Sequence, residues 1–127
     1  MPTPRSKVAA ALSESAVLTK SVLRAAEQLA ITNRVLARVI GLSEATVSRM
    51  RAGDYELQHG QKPFELAVLF VRLFRSLDAI AGGDRTTSSA WLHNPNRALA
   101  DRPLSLIQSI PGLVNVIEYL DARRAVG

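Results

Sequence analysis

Apolar residues recur at helical spacing along most of the chain, and the pattern breaks only at short polar or Gly/Pro-bearing stretches. Leu18, Val22, Ala25, Ala26 and Leu29 share one face, with Lys20, Arg24 and Glu27 opposite, which predicts a helix starting near residue 17. Ahead of it, residues 1–15 carry two prolines, small residues and scattered charge, and read as a mobile arm. Thr32 and Asn33 are N-cap candidates for a short second helix over 34–40 that Gly41 ends. Ser43 caps a third over 44–51, and Gly53 stops it. A polar connector, 54–62, leads to Pro63, well placed in the first turn of a helix to about Ile80. That helix is apolar almost all round, so it must be covered on several sides by the first three helices, by the last segment or by a second copy of itself.

The pattern then weakens. AGGDRTTS, from Ala81, is the clearest linker. Short helical pieces follow: a turn around 89–93, a loop at Asn94-Pro95-Asn96, a short helix over 103–110 and a break at Pro111-Gly112. Leu113, Val116, Ile117 and Leu120 stripe a last helix over 113–124, and Arg123 and Arg124 suit its C-terminal end. No strand or internal repeat is expected, so the fold class is all-α. The divisions are an arm at 1–15, a helix-turn-helix domain with its long bridging helix at 16–80, a linker at 81–87 and a small helical domain at 88–127.

The stretch LARVIGLSEATVSRMRAG, Leu36 to Gly53, narrows the reading. A helix-turn-helix needs a small residue where the second helix crosses the first, a turn residue that tolerates an unusual backbone, and an apolar residue facing inward one turn into the second helix. Ala37, Gly41 and Val47 meet these needs at the usual relative spacing, and Leu36, Ile40, Leu42 and Met50 fill the other inward positions. If Val47 and Met50 point inward, Glu44, Ala45, Ser48 and Arg49 point out, with Thr46 at the margin. These five are the candidates for a major groove. Arg49 could fork onto guanine, and Thr46 or Ala45 could meet a thymine methyl. Asn33, Arg34, Ser43 and Arg51 suit phosphate contacts that set register. Glu44 opposes strong non-specific affinity unless it pairs with cytosine. The competing account of the same residues is a plain helical hairpin with solvated arginines.

Charge agrees with an anionic partner. The 127 residues carry a formal net charge of +5, and it is uneven: residues 1–62 hold nine Lys/Arg against five Asp/Glu, residues 63–127 seven against six. The 47% hydrophobic content suits one compact domain or two small ones sharing a core. Cysteine is absent, which removes disulfides and thiolate metal sites. His59 and His93 lack metal-ligand spacing, so no metal and no cofactor are expected. The first residues lack the apolar core of a signal peptide, and the apolar run from Phe64 is interrupted by Glu65, Arg72, Arg75 and Asp78. A cytoplasmic protein with no membrane partner is the expectation. An enzyme is disfavoured: AGGDR has glycines but no preceding strand and no following lysine-threonine pair.

The second half carries a resemblance. WLHNPNRALADRPLSLIQSIPGLVNVIEYLDAR, Trp91 to Arg123, resembles the C-terminal domain of the MbcA/ParS/Xre antitoxin family. The shared features are Trp91-Leu92, Pro95-Asn96, Ala98-Leu99, Pro103-Leu104 and Gly112 opening the last helix, in that order and spacing. With the Xre-like helix-turn-helix upstream, the likeness spans about residues 18–124. It departs at Ala100-Asp101, where the family usually has a glycine pair. The resemblance implies an antitoxin of a type II toxin–antitoxin pair. It would bind a RES-domain toxin that consumes NAD, close its active site with the C-terminal segment, and repress its own operon through operator DNA as a homodimer.

Read on their own, the residues of this half divide. Trp91, the only tryptophan, suits a core anchor between the last helix and the linker helix. Asn96 suits a turn hydrogen bond after Pro95. Arg123, Arg124, Ala125, Val126 and Gly127 form either a frayed end or a short tail whose guanidiniums enter an acidic or phosphate-binding cleft of the toxin. The alternative function is a stand-alone transcriptional regulator whose second domain dimerises or senses a ligand.

Overall fold

A computed structural model describes the backbone of residues 4–126 and the side chains from Glu14 to Val126. The described residues form seven helices: α1 (Pro4–Gln28), α2 (Asn33–Ile40), α3 (Glu44–Arg51), α4 (Lys62–Ile80), α5 (Arg85–His93), α6 (Pro103–Leu106) and α7 (Ile110–Val126). They contain no strand, and none of their helices is long and apolar enough to cross a membrane. The fold is all-α.

Helix α1 begins well before the apolar stripe that announced it. Pro4 occupies the first turn, where its missing N–H costs nothing, and the backbone is helical through the segment read as an arm; residues 1–3 lie outside the described residues. Its C-terminal end is closed by Ala30, held left-handed at φ 55°, with Ile31 N–H reaching back to the Ala26 carbonyl at 2.9 Å. Thr32, rather than Asn33, caps α2: its hydroxyl accepts from Val35 N–H at 3.2 Å. Gly41 ends α2 at φ 74°, and the N–H groups of Gly41 and Leu42 both reach the Ala37 carbonyl. A side chain at Gly41 would need that strained backbone and would also touch Leu66 of α4.

The connector after α3 is less polar than its sequence suggests. Leu57 is buried, and its N–H donates to the Thr19 hydroxyl of α1 at 3.0 Å. Thr19 in turn donates to the Ser15 carbonyl, so one buried hydroxyl pins the loop to α1.

Helix α4 is the shared wall. It packs against α1 and α2 on one side and α5 and α7 on others, and it buries Leu66, Ala67, Phe70, Val71, Leu73 and Leu77. This explains why its sequence is apolar almost all round. Each such residue taken fully out of water contributes about 1.5–3 kcal/mol for the larger side chains. Buried residues before and after the turn at Ala81 belong to one hydrophobic cluster.

The second half differs in detail from the sequence reading. The linker is short, because α5 already begins at Arg85. Donors from α5 close the end of α1: Arg85 to the Glu27 carbonyl at 2.9 Å, and Ser89 and the His93 ring nitrogen Nε2 to the Leu29 carbonyl at 3.3 and 2.9 Å. The Glu27 carbonyl also accepts from Ala30 N–H at 3.1 Å, and the α5 donors add to the bonding of this helix end. Helix α6 stops at Leu106, four residues short of the expected end. Pro111 does not break a helix; it sits in the first turn of α7, where proline is tolerated. The close approach falls on Gly112, where a Cβ would stand 1.9 Å from the Leu106 carbonyl oxygen.

Candidate functional site

Helix α3 owes its position to its cap and its two inward residues. The Ser43 hydroxyl accepts from Thr46 N–H at 3.1 Å and meets the Thr46 hydroxyl at 2.8 Å, fixing the first turn. Val47 and Met50 are buried against α2 and the core. Helical geometry then forces the rest outward. Glu44, Ala45, Ser48, Arg49 and Arg51 are exposed and Thr46 is half-buried, the division expected from the sequence. Glu44 stands in the first turn, where a carboxylate favours the helix dipole.

Tertiary contacts join residues that the sequence kept apart. Asn33, at the start of α2, donates to the Ser48 hydroxyl at 3.4 Å and accepts from Arg51 Nε. The polar face of α3 is thus tied to α2 through one amide. Arg34 remains exposed beside it. Arg49 donates to the Thr46 hydroxyl at 3.1 Å, and its guanidinium lies 5.8 Å from the centre of the Tyr55 ring. The sequence reading missed Tyr55, whose only signal was an aromatic residue in an otherwise polar connector. Its effect is to hold Arg49 in a restricted set of positions, which lowers the entropy lost when that side chain makes a contact.

A second set of groups lies on α7. Arg123, Arg124, Ala125 and Val126 are exposed and still helical; Gly127 lies outside the described residues. The two arginines, about 100° apart on the helix, meet different neighbours. Arg123 donates to the Tyr119 hydroxyl at 3.0 Å and lies 5.8 Å from the centre of its ring. Tyr119 stacks on Trp91 of α5, ring centres 6.2 Å apart and planes within 17°. Trp91 is half-buried against the core, which fits an anchor, and its stack also reaches the surface. Arg124 instead lines an open groove of about 800 Å³ between α1, α4 and α7. Val17, Phe64 and Val68 contribute apolar surface to that groove, and Arg72 and Arg75 share it.

Asp121 fixes α7 to α4. The buried Ser76 hydroxyl donates to one carboxylate oxygen at 2.7 Å, and Arg72 donates to the other. The Ser76 bond above all holds this carboxyl below its usual range; desolvation, the next largest effect, opposes it, and the Arg72 bond and the charges of Arg72 and Arg124 add to the lowering. Asn96 behaves as expected: its side chain accepts from Leu99 N–H at 3.1 Å. At the position of the missing glycine pair, Ala100 is left-handed at φ 63°, in a turn closed by the Asn96–Asp101 bridge.

Comparison with known families adds to this geometry. Residues 8–72 match the antitoxin Xre-like helix-turn-helix domain, and residues 76–125 match the antitoxin Xre/MbcA/ParS C-terminal toxin-binding domain. No curated protein matched the sequence significantly. The two matches meet inside α4, on either side of the Arg72–Ser76–Asp121 contact.

Proposed function

The chain belongs to the Xre/MbcA/ParS antitoxin family, and from that premise we propose that it silences a RES-type, NAD-consuming toxin and represses its own operon as a cytoplasmic homodimer. The observation that carries the DNA half is the division of α3: Val47 and Met50 are buried, while Glu44, Ala45, Ser48 and the braced Arg49 face outward. That is the form a recognition helix needs before it enters a major groove. Asn33, Arg34, Ser43 and Arg51 flank it as phosphate contacts that set its register. Closure of the toxin's active site is assigned to residues 123–127, whose arginines suit carboxylate or phosphate partners.

The homodimer is assigned to the groove on the outer face of α4. Val17 is 61% exposed and Val68 46%, side by side with charges of both signs from Glu14, Arg72, Arg75 and Arg124. An exposed apolar patch rimmed by charge suits a two-fold contact, in which the same surface meets itself.

One pair of variants separates the activities. Arg49→Ala should weaken binding to DNA upstream of its own gene by about 1–3 kcal/mol and still protect cells that express the neighbouring toxin gene. Removing residues 123–127 should do the reverse, with growth arrested and cellular NAD drained while operator binding persists. Unchanged operator affinity in Arg49→Ala would remove the base-contact assignment. Full protection by the shortened chain would remove the active-site assignment.

A further inference from the structure

Helix α7 buries Leu113, Val116, Ile117 and Leu120, which leaves two flanking edges in solvent. One carries Ile110 and Val114, 48% and 38% exposed. The other carries Tyr119, Ala122, Arg123 and Val126, spaced i, i+3, i+4 and i+7 and therefore on one face. These four line a shallow pocket of about 440 Å³, with the small Ala122 among them, and the Tyr119 ring continues the strip onto Trp91 of α5. Val126, at its end, is 90% exposed.

The composition of this second edge is unusual for a solvent face. It joins the chain's single tryptophan, one of its two tyrosines and an arginine, the three residue types that most often dominate the energy of protein interfaces. They are also immobilised in advance. Tyr119 is stacked on Trp91, and Arg123 is bonded to the Tyr119 hydroxyl, so little side-chain entropy remains to be lost on binding. The strip lies within α5 and α7 and runs directly into residues 123–127. All its residues but Val126 fall within the segment matched to a toxin-binding domain, and Val126 directly follows it. The larger groove, by contrast, takes residues from both matched segments.

We propose that the strip Trp91–Tyr119–Ala122–Val126 is the surface on which the toxin docks, with Arg123 as its charged anchor. The Ile110–Val114 edge of the same helix stays outside the contact. The complementary patch on the toxin is apolar, protrudes over Ala122, and carries a carboxylate opposite Arg123. This inference rests on the antitoxin reading and adds to it the face that holds the complex together: Arg123 and Val126 are shared with the tail assigned to closing the active site, while Trp91, Tyr119 and Ala122 lie outside that tail.

The test uses the full chain and the purified toxin encoded beside it. Ala122→Glu, Val126→Glu and the opposite-edge control Val114→Glu are compared by affinity for that toxin, with thermal unfolding of each variant alone. Glutamate is a good helix former, and all three positions are exposed. The strip predicts an affinity loss on the order of thirtyfold for Ala122→Glu and a loss of the same sign for Val126→Glu, with Val114→Glu within about threefold of the unaltered chain. Should Ala122→Glu lower the melting temperature, Ala122→Gln decides, since it keeps the added bulk without the charge and lies outside residues 123–127. If the unaltered chain binds but the strip variants bind as well as it does, or Val114→Glu loses as much as they do, the strip is wrong and the antitoxin reading stands. If the unaltered chain binds no such toxin, both fall.

Discussion

Between α1 and α4, helix ends are closed by neighbours in sequence: Thr32 bonds Val35, Gly41 turns back onto Ala37, and Ser43 bonds Thr46. Between α4 and α7 local caps also occur, Ser109 accepting from Gly112 N–H at 3.1 Å, but distant residues add to them. Arg85, Ser89 and His93 bond carbonyls near the end of α1, Ser76 and Arg72 hold Asp121, and α6 starts without a side-chain cap. The caps of the helix-turn-helix are locally encoded, whereas the segment matched to the toxin-binding domain also leans on side-chain bonds to α1 and α4. The second region should therefore be the more sensitive to changes in packing and the first to changes in capping.

Three substitutions probe the second region. The largest effect is expected from Gly112→Ala. Its methyl would overlap the Leu106 carbonyl, so the α6–α7 junction must open, at a cost of about 2–3 kcal/mol in denaturant unfolding. A loss well below 1 kcal/mol would show that the junction yields easily, and the contrast with the first region would weaken.

Next comes Asp121→Asn. It removes the charge that Arg72 meets and weakens the acceptor for the buried Ser76 hydroxyl. The site is partly solvated, so the expected loss near pH 7 is about 1 kcal/mol. Its pH dependence has a definite sign. The carboxyl is held below its ordinary value in the folded chain, so its contribution is complete above the unfolded value and is lost as pH falls through the folded one. The gap between the two proteins should be constant near neutrality and narrow below about pH 4. A gap that widens in acid would contradict the hydrogen-bonded carboxylate.

The smallest effect is a gain. Ala100 is left-handed, a backbone conformation that glycine adopts without strain. Ala100→Gly relieves that strain but raises the entropy of the unfolded chain, leaving a net stabilisation of about 0.5–1 kcal/mol. A lower melting temperature would mean that the Ala100 methyl contributes packing that outweighs its strain.

Much of this was legible in the residues. The inward pair Val47 and Met50, the caps, Gly41 as a turn, and the need to cover α4 on several sides all follow from spacing and side-chain chemistry. Other features were not. Tyr55 under Arg49 and Leu57 in the core sit in a connector whose composition is polar. Ser76 looked like one more hydroxyl in an apolar helix until α7 brought Asp121 to it. Pro111 carried the same letter whether it broke a helix or opened one.

The sequence by itself determined an all-α chain, the helix-turn-helix and its outward face, because caps and turns depend on hydrogen bonds between residues three to five apart and those residues are adjacent in the text. Only the tertiary structure decided that Arg123 joins Tyr119 and Trp91 while Arg124 turns to the groove, and that α5 completes the end of α1. Those pairings join residues up to 64 positions apart. They depend on how α4 and α7 pack, and packing is set by the whole core rather than by any local run of residues.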